Sequence, residues 1–346
     1  MRIILLITWI MVSQVSLSQE SVPYVFYSGD TITIRSATDS ITKFKSKKEK
    51  ITLPIKFADH PDWNFTVDLK SKLENEPCEF GNVKTILALS DIEGEFEAFR
   101  NLLIGNKVID ANYNWIFGKN HLVICGDLFD RGAHVTEYVW LLYKLEQDAA
   151  KNGGYVHVVL GNHDIMNMGG DFRYVNPKYL TDAKRLNKEY KDLFGPNTEI
   201  GRWLKTKNIV EKVSKNLFLH AGISQPVNAS QWPLTAINNF VRPWYDVDAE
   251  KIPDSVYFFF GDNSPFWYRG YFVAPLATQA QVDSTLSLFE VKKIVVGHTI
   301  INQVDGYFEN KVYGIDVNQH NGKHEALLIQ DGKYFRVDEQ GTKTEL

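Results

Sequence analysis

Short apolar runs alternate with helical spacings through most of this chain. Residues 84–90 form a compact apolar run, and Phe96, Phe99, Leu102 and Leu103 follow at helical spacing. Residues 122–125 form a second run. Val135, Tyr138, Val139, Leu142 and Leu145 then mark one face of a helix that Gly153-Gly154 ends. A third run covers 155–160, and further strand-like runs lie at 217–219, 293–296, 312–315 and 326–329. Strands alternating with helices predict βαβ units with right-handed crossovers, hence an α/β fold.

The first eighty residues have a different texture. Residues 24–27 and 31–34 flank Gly29-Asp30 and predict a hairpin. Residues 51–55 and 65–69 read as further strands, and the lysine-rich run 43–50 reads as a solvated turn. At the start, Met1-Arg2 precedes ten residues, 3–12, that are apolar except for Thr8, then small and polar residues to Ser18. That is the pattern of a secretory leader, too short for a permanent membrane span. The expected organisation is a signal peptide at 1–18, a β-rich extension at 19–80 and a catalytic domain at 81–346. The expected location is periplasmic or secreted, with no stable membrane anchor after cleavage.

Composition adds two exclusions. The 346 residues carry Lys+Arg 38 against Asp+Glu 42, a net charge of -4, and no basic stripe, so nucleic acid is not an expected partner. Only Cys78 and Cys125 are present. Cys125 ends an apolar run and Cys78 sits beside Pro77, which favours two buried or inert thiols over a 78–125 bridge.

The chemistry sits immediately after the strands. The first is followed by Ser90-Asp91-Ile92-Glu93-Gly94, the second by Gly126-Asp127-Leu128-Phe129-Asp130-Arg131-Gly132, and the third by Gly161-Asn162-His163-Asp164. Two later strands end in His220-Ala221-Gly222 and Gly297-His298-Thr299. Open α/β sheets bind ligands outside the carboxyl ends of their strands. Carboxylates, imidazoles and an amide form a mixed oxygen and nitrogen donor set, suited to Mn, Fe or Zn. One shared carboxylate can bridge two ions.

These blocks resemble the calcineurin-like metallophosphoesterases, in their phosphoprotein-phosphatase branch. Residues 264–269 (SPFWYR) and 201–204 (GRWL) further resemble blocks of the Shewanella-like protein phosphatases. The similarity spans roughly residues 81–330. It implies an α/β/β/α sandwich with two mixed β-sheets, carrying here the N-terminal β-rich extension. It also implies two divalent metal ions and hydrolysis of phosphoric monoesters by a hydroxide formed on those ions. Asp127 matches the bridging carboxylate and Asp91 a ligand of the first ion; Asn162, His220 and His298 match ligands of the second. His163 matches the proton donor to the leaving oxygen, Asp130 the carboxylate that orients it, and Arg131 a phosphate-binding arginine; Arg269 is a second.

Two positions depart from the family pattern. Glu93 stands where the family usually has His, and can ligate the first ion through oxygen. Asp164 stands where these phosphatases usually have Glu. The expected substrate is a phosphorylated protein or peptide, on Ser, Thr or Tyr, or a small phosphomonoester. A family member that keeps binding without turnover, and a dinucleoside polyphosphate hydrolase, are the alternatives. His121, His134 and His157 read as satisfied surface histidines, and residues 166–216 as helices beside the cleft.

Overall fold

The computed structural model describes residues 22–37, 41–44 and 50–346; the leader read at 1–18 and the centre of the lysine-rich run lie outside them. Two six-stranded mixed sheets form the body. The first has the order Lys343–Glu345, Lys333–Asp338, Glu325–Gln330, Thr85–Leu89, His121–Cys125, Tyr155–Val159. Its last three strands run parallel, joined through the helices Phe96–Gly105 and Val135–Lys151. The second has the order Asp305–Tyr307, Val312–Gly314, Lys293–Val296, Asn216–Leu219, Val210–Val213, Glu79–Phe80, and its middle three from Val312–Gly314 to Asn216–Leu219 are parallel. The two-sheet α/β architecture expected from the family resemblance is therefore present.

Period-two alternation assigns the faces. Ile86 and Ala88, Val123 and Cys125, Phe218, Val295 and Tyr313 share one apolar cluster with Leu327 and Ile329. Their strand neighbours Leu87, Leu89, Leu122, Ile124, Leu217, Leu219, Ile294 and Val296 belong to a larger one, with the helix residues Phe99, Leu102, Tyr138 and Leu142. The first cluster thus draws on the strands of both sheets. Cys125 lies in it as a free buried thiol, and Cys78 is also free and buried. Burial pushes the Cys125 thiol well up, which leaves it inert.

The hairpin Tyr24–Ser28 with Thr31–Arg35 forms as expected, with Ser28 opposite Thr31. Ile41–Phe44 adds a third strand, and Thr52–Ile55 pairs separately with Phe65–Asp68. Tyr24, Val25, Leu53, Trp63 and Phe65 join the large cluster, so this extension shares the core of the body. A polar network ties the two. Lys207, wholly buried, pairs with Glu76 and Glu146 and lies 4.4 Å over the Trp203 ring. Glu146 also pairs with Lys70 and accepts a 2.8 Å bond from the Trp203 indole. Beside it, His157 Nδ1 meets Glu211 Oε2 at 2.6 Å, and Asn208 donates to Glu211 Oε1 at 2.9 Å.

Two expectations need correction here. His157 is not a surface residue; it is fully buried against Glu211. The segment 166–216 holds the helices Pro177–Arg185 and Glu199–Leu204, but it also contributes the strand Val210–Val213. Among the described residues no helix is long and apolar enough to cross a membrane.

Candidate metal centre

Six parallel strands, three per sheet, deliver their carboxyl ends to one cavity of about 390 Å³. Asp91, Glu93, Asp127, Arg131, His163, Arg269, His298 and Asp316 all line it. The backbone turns sharply at each exit. Asp91, Glu93, Asp127, Asp130, Arg131 and His298 all have positive φ, between 45° and 81°. Such conformations are strained for these residue types and cluster at functional sites. Glycines supply the room. A Cβ at Gly126 would strike the His220 ring, one at Gly161 the Asp127 carboxylate, and one at Gly297 the Asp91 carboxylate.

One donor group joins Asp127, His220 and His298, with Asn162 beside them. His220 Nδ1 donates to the Cys125 carbonyl at 2.8 Å, and His298 Nε2 donates to the Trp267 carbonyl at 3.2 Å. Each ring then turns its other nitrogen inward, and these stand 3.1 Å apart. Asn162 Oδ1 lies 2.8 Å and Asp127 Oδ2 3.3 Å from His220 Nε2. Four lone pairs thus converge on one point, an arrangement that a cation satisfies fully and a proton only in part. Burial alone would lower the His220 pKa, but Asp127 overrides it and drives it up to about 10. Burial, then His220, then Arg269 hold His298 down to about 2. Burial would raise Asp127, yet His220 and His163 outweigh it and keep that carboxyl below its ordinary range.

A second donor group joins Glu93, Asp127 and His163. Asp91 stands outside both groups. Its Oδ2 accepts the His298 backbone N–H at 3.0 Å, and burial, then Asp316, raise its pKa well above normal. With Asp127 shared between the groups, the donors present fit two divalent ions. Four carboxylates, those of Asp91, Glu93, Asp127 and Asp316, line the same cavity.

The proposed proton donor has its support in place. His163 Nδ1 meets Asp130 Oδ2 at 2.5 Å, and Asn167 donates to Asp130 Oδ1 at 2.8 Å. Its Nε2 points toward Glu93 and Asp127, at 3.8 and 3.9 Å. Tyr174 packs 5.1 Å from the His163 ring and 5.3 Å from the Arg131 guanidinium. Arg131 pairs with Glu93, while Arg269 donates to the His298 carbonyl at 3.0 Å. Asp164 accepts from the backbone N–H of Leu128 at 2.8 Å and of Gly161 at 2.7 Å, so the shorter arm still reaches. Burial, then Asp127, raise its pKa to about 7.

The sequence reading missed Asn167, Tyr174, Asp316, Asn318 and His320. The last three follow the strand Val312–Gly314 and line the cavity. The signal was available: this strand, like the five that were recognised, is an apolar run closed within a few residues by a metal-competent side chain, here Asp316.

The calcineurin-like phosphoesterase family model matches residues 84–302. The cold-active protein-tyrosine phosphatase of a psychrophilic Shewanella species is 34% identical, with a TM-score of 0.85 over 95% of this chain and 100% of that one. Shewanella-like protein phosphatase 1 of Plasmodium berghei is 28% identical, over 81% of this chain and 80% of its own length. Shewanella-like protein phosphatase 2 of Arabidopsis thaliana is 27% identical over 75% and 78%.

Proposed function

The chain belongs to the calcineurin-like phosphoesterase family, and we propose that it is a metal-dependent protein phosphatase, with phosphotyrosine as its first substrate. The family makes it a hydrolase of phosphoric esters. The observation that carries the reading is the convergence of two donor groups, two arginines and an oriented histidine on one cavity. The substrate choice draws on the similarity to the Shewanella tyrosine phosphatase. It also draws on the half-exposed Tyr174 and the exposed Ile300, which suit the walls of an aryl phosphate site.

Asp127 would be shared by both ions, with Asp91 and Glu93 on one side and Asn162, His220 and His298 on the other. Mn, Fe or Zn suits this set. When bound, such ions supply Lewis acidity and a nucleophilic water at neutral pH. Arg131 and Arg269 hold phosphoryl oxygens and stabilise the charge that spreads over them. To do so Arg131 exchanges Glu93 for the substrate. His163 presents Nε2 to the leaving oxygen and donates its proton, while Asp130 fixes the ring through Nδ1 and Asn167 fixes Asp130. A protein that only binds phosphate has no use for this chain of three. Cys125 faces the inter-sheet core, so no thiol nucleophile takes part. With a leader at residues 1–18, the enzyme works in an exported compartment.

The test is hydrolysis of p-nitrophenyl phosphate with added Mn, before and after chelation, followed by a phosphopeptide panel. Chelator-sensitive turnover with a preference for phosphotyrosine supports the reading. Turnover that survives complete metal removal sinks it.

A further inference from the structure

Glu93 occupies the position where the family usually has an imidazole, yet an imidazole is close at hand. His320 comes from the other end of the chain and lines the same cavity as Asp91, Glu93 and Asp127. Its Nε2 lies 2.6 Å from Glu93 Oε2 and its Nδ1 lies 2.8 Å from Glu95 Oε1. Both ring nitrogens are therefore directed, one into the cavity and one away from it. Ligating histidines characteristically give their outer N–H to a carboxylate, which sets the tautomer and aims the remaining lone pair at the ion. Glu95 fills that role here.

The loops are shaped to bring these three groups together. Glu93 and Gly94 both have positive φ, 45° and 78°, so the chain doubles back between the two glutamates that flank the ring. On the other side, His320 sits in the turn Gln319–Asn321, bounded by Asn318 and Gly322 at φ 59° and 76°. Asp316 Oδ1 braces that turn by accepting the Asn318 N–H at 3.1 Å. Two ligands bonded to one ion at about 2.0–2.2 Å and at right angles stand roughly 3 Å apart. The observed 2.6 Å separation of Nε2 and Oε2 needs to open by only a few tenths of an ångström.

We propose that His320 supplies the imidazole that position 93 lacks: its Nε2 ligates the first metal ion beside Glu93, and Glu95 orients it. The ligand has moved from the turn after the first strand to the turn after Val312–Gly314, while its place at the cavity is kept. This rests on the two-metal reading above, and its test separates the two.

The experiment loads full-length protein with Mn, removes free metal by gel filtration, measures equivalents per chain, and titrates metal-free protein calorimetrically. Wild type should hold two equivalents. His320→Ala should hold one tightly and bind the other at least about 10-fold more weakly. Glu95→Gln should weaken the same site by roughly 10–100-fold, the usual effect of losing an orienting partner. Glu93→His combined with His320→Ala should recover the second equivalent, which shows that the loss is of an imidazole and not of the fold. Cobalt-loaded His320→Ala should also show altered visible bands at saturation, because one nitrogen donor is gone. If wild type binds two ions and a folded His320→Ala binds two with unchanged affinity, this inference fails and the two-metal reading stands. Weaker binding with unchanged cobalt bands would make His320 a positioning residue and overturn the ligand assignment. Fewer than two ions in wild type would remove the two-metal reading, and this inference with it.

Discussion

Two clusters of buried charge lie in this molecule, and they are balanced differently. Around Lys207, the carboxylates of Glu76 and Glu146 have Lys207 and Lys70 as partners, with the Trp203 indole on Glu146. At the cavity, the carboxylates of Asp91, Glu93, Asp127 and Asp316 face each other across an open space, and burial raises both Asp91 and Asp316. The first cluster is complete within the protein. The second includes donor groups that could hold metal ions. Buried charge is expensive in both places, but only the excess negative charge is free to act on a ligand.

The sharpest way to break this contrast is at Asp127. Asp127→Asn should leave the fold intact, lose both metals and drop turnover to the level of metal-free protein; metal analysis with a p-nitrophenyl phosphate assay checks it. His163→Asn should keep its metals and slow turnover by roughly 10²–10⁴-fold. The loss should be greatest on alkyl phosphates, whose leaving group needs the proton, and smaller on p-nitrophenyl phosphate. Equal losses on both would take His163 out of the acid role. At the balanced cluster the pattern should reverse. Lys207→Met takes the lysine from the largely buried Glu76 and leaves Glu146 to Lys70 and the Trp203 indole, and should cost about 3–5 kcal/mol of stability by denaturant titration. Metal affinity at the cavity should be unchanged.

The smallest effect concerns the His157–Glu211 pair. Burial pushes His157 down to about 3 and Glu211 up to about 8, so the folded pair keeps one proton between those limits. Unfolded, with ordinary values of 6.5 and 4.5, the pair holds two protons below 4.5 and none above 6.5. From pH 6.5 to 8 the folded state therefore binds the extra proton, and the pair's contribution falls as pH rises. From pH 3 to 4.5 the unfolded state binds it, and the contribution is lost as pH falls. Glu211→Gln should flatten the decline of the unfolding free energy between pH 6.5 and 8, by an amount on the order of 1 kcal/mol. An identical pH profile in the variant would remove the pair from the balance.

What was legible in the sequence follows from how each feature is encoded. The strands at 84–90, 122–125 and 155–160 are continuous apolar runs because both faces of their sheet are covered, and glycine turns mark their ends. Val210–Val213 escaped notice because its Glu211 and Lys212 look solvent-facing, whereas Glu211 is buried against His157, from the edge strand of the other sheet. Asp91, Asp127, Asn162, His163, His220 and His298 were readable because each closes a strand. His320 was not, because its meaning depends on Glu93, 227 residues away. Glu93 was noticed as a departure, but only the folded chain brings its partner to it.

The donor residues leave different sheets: Asp91, Asp127 and Asn162 the first, His220 and His298 the second. The apolar layer of Ala88, Cys125, Phe218 and Val295 consequently works as a gauge block between two jaws. Facing sheets stand about 10 Å apart, and a packed interior passes on a surplus methylene as a shift of its neighbours. The width of that layer calibrates the span across which the carboxylates and imidazoles must meet. A conservative exchange such as Ala88→Val, at a residue that does not line the cavity, would register there as a change in metal preference.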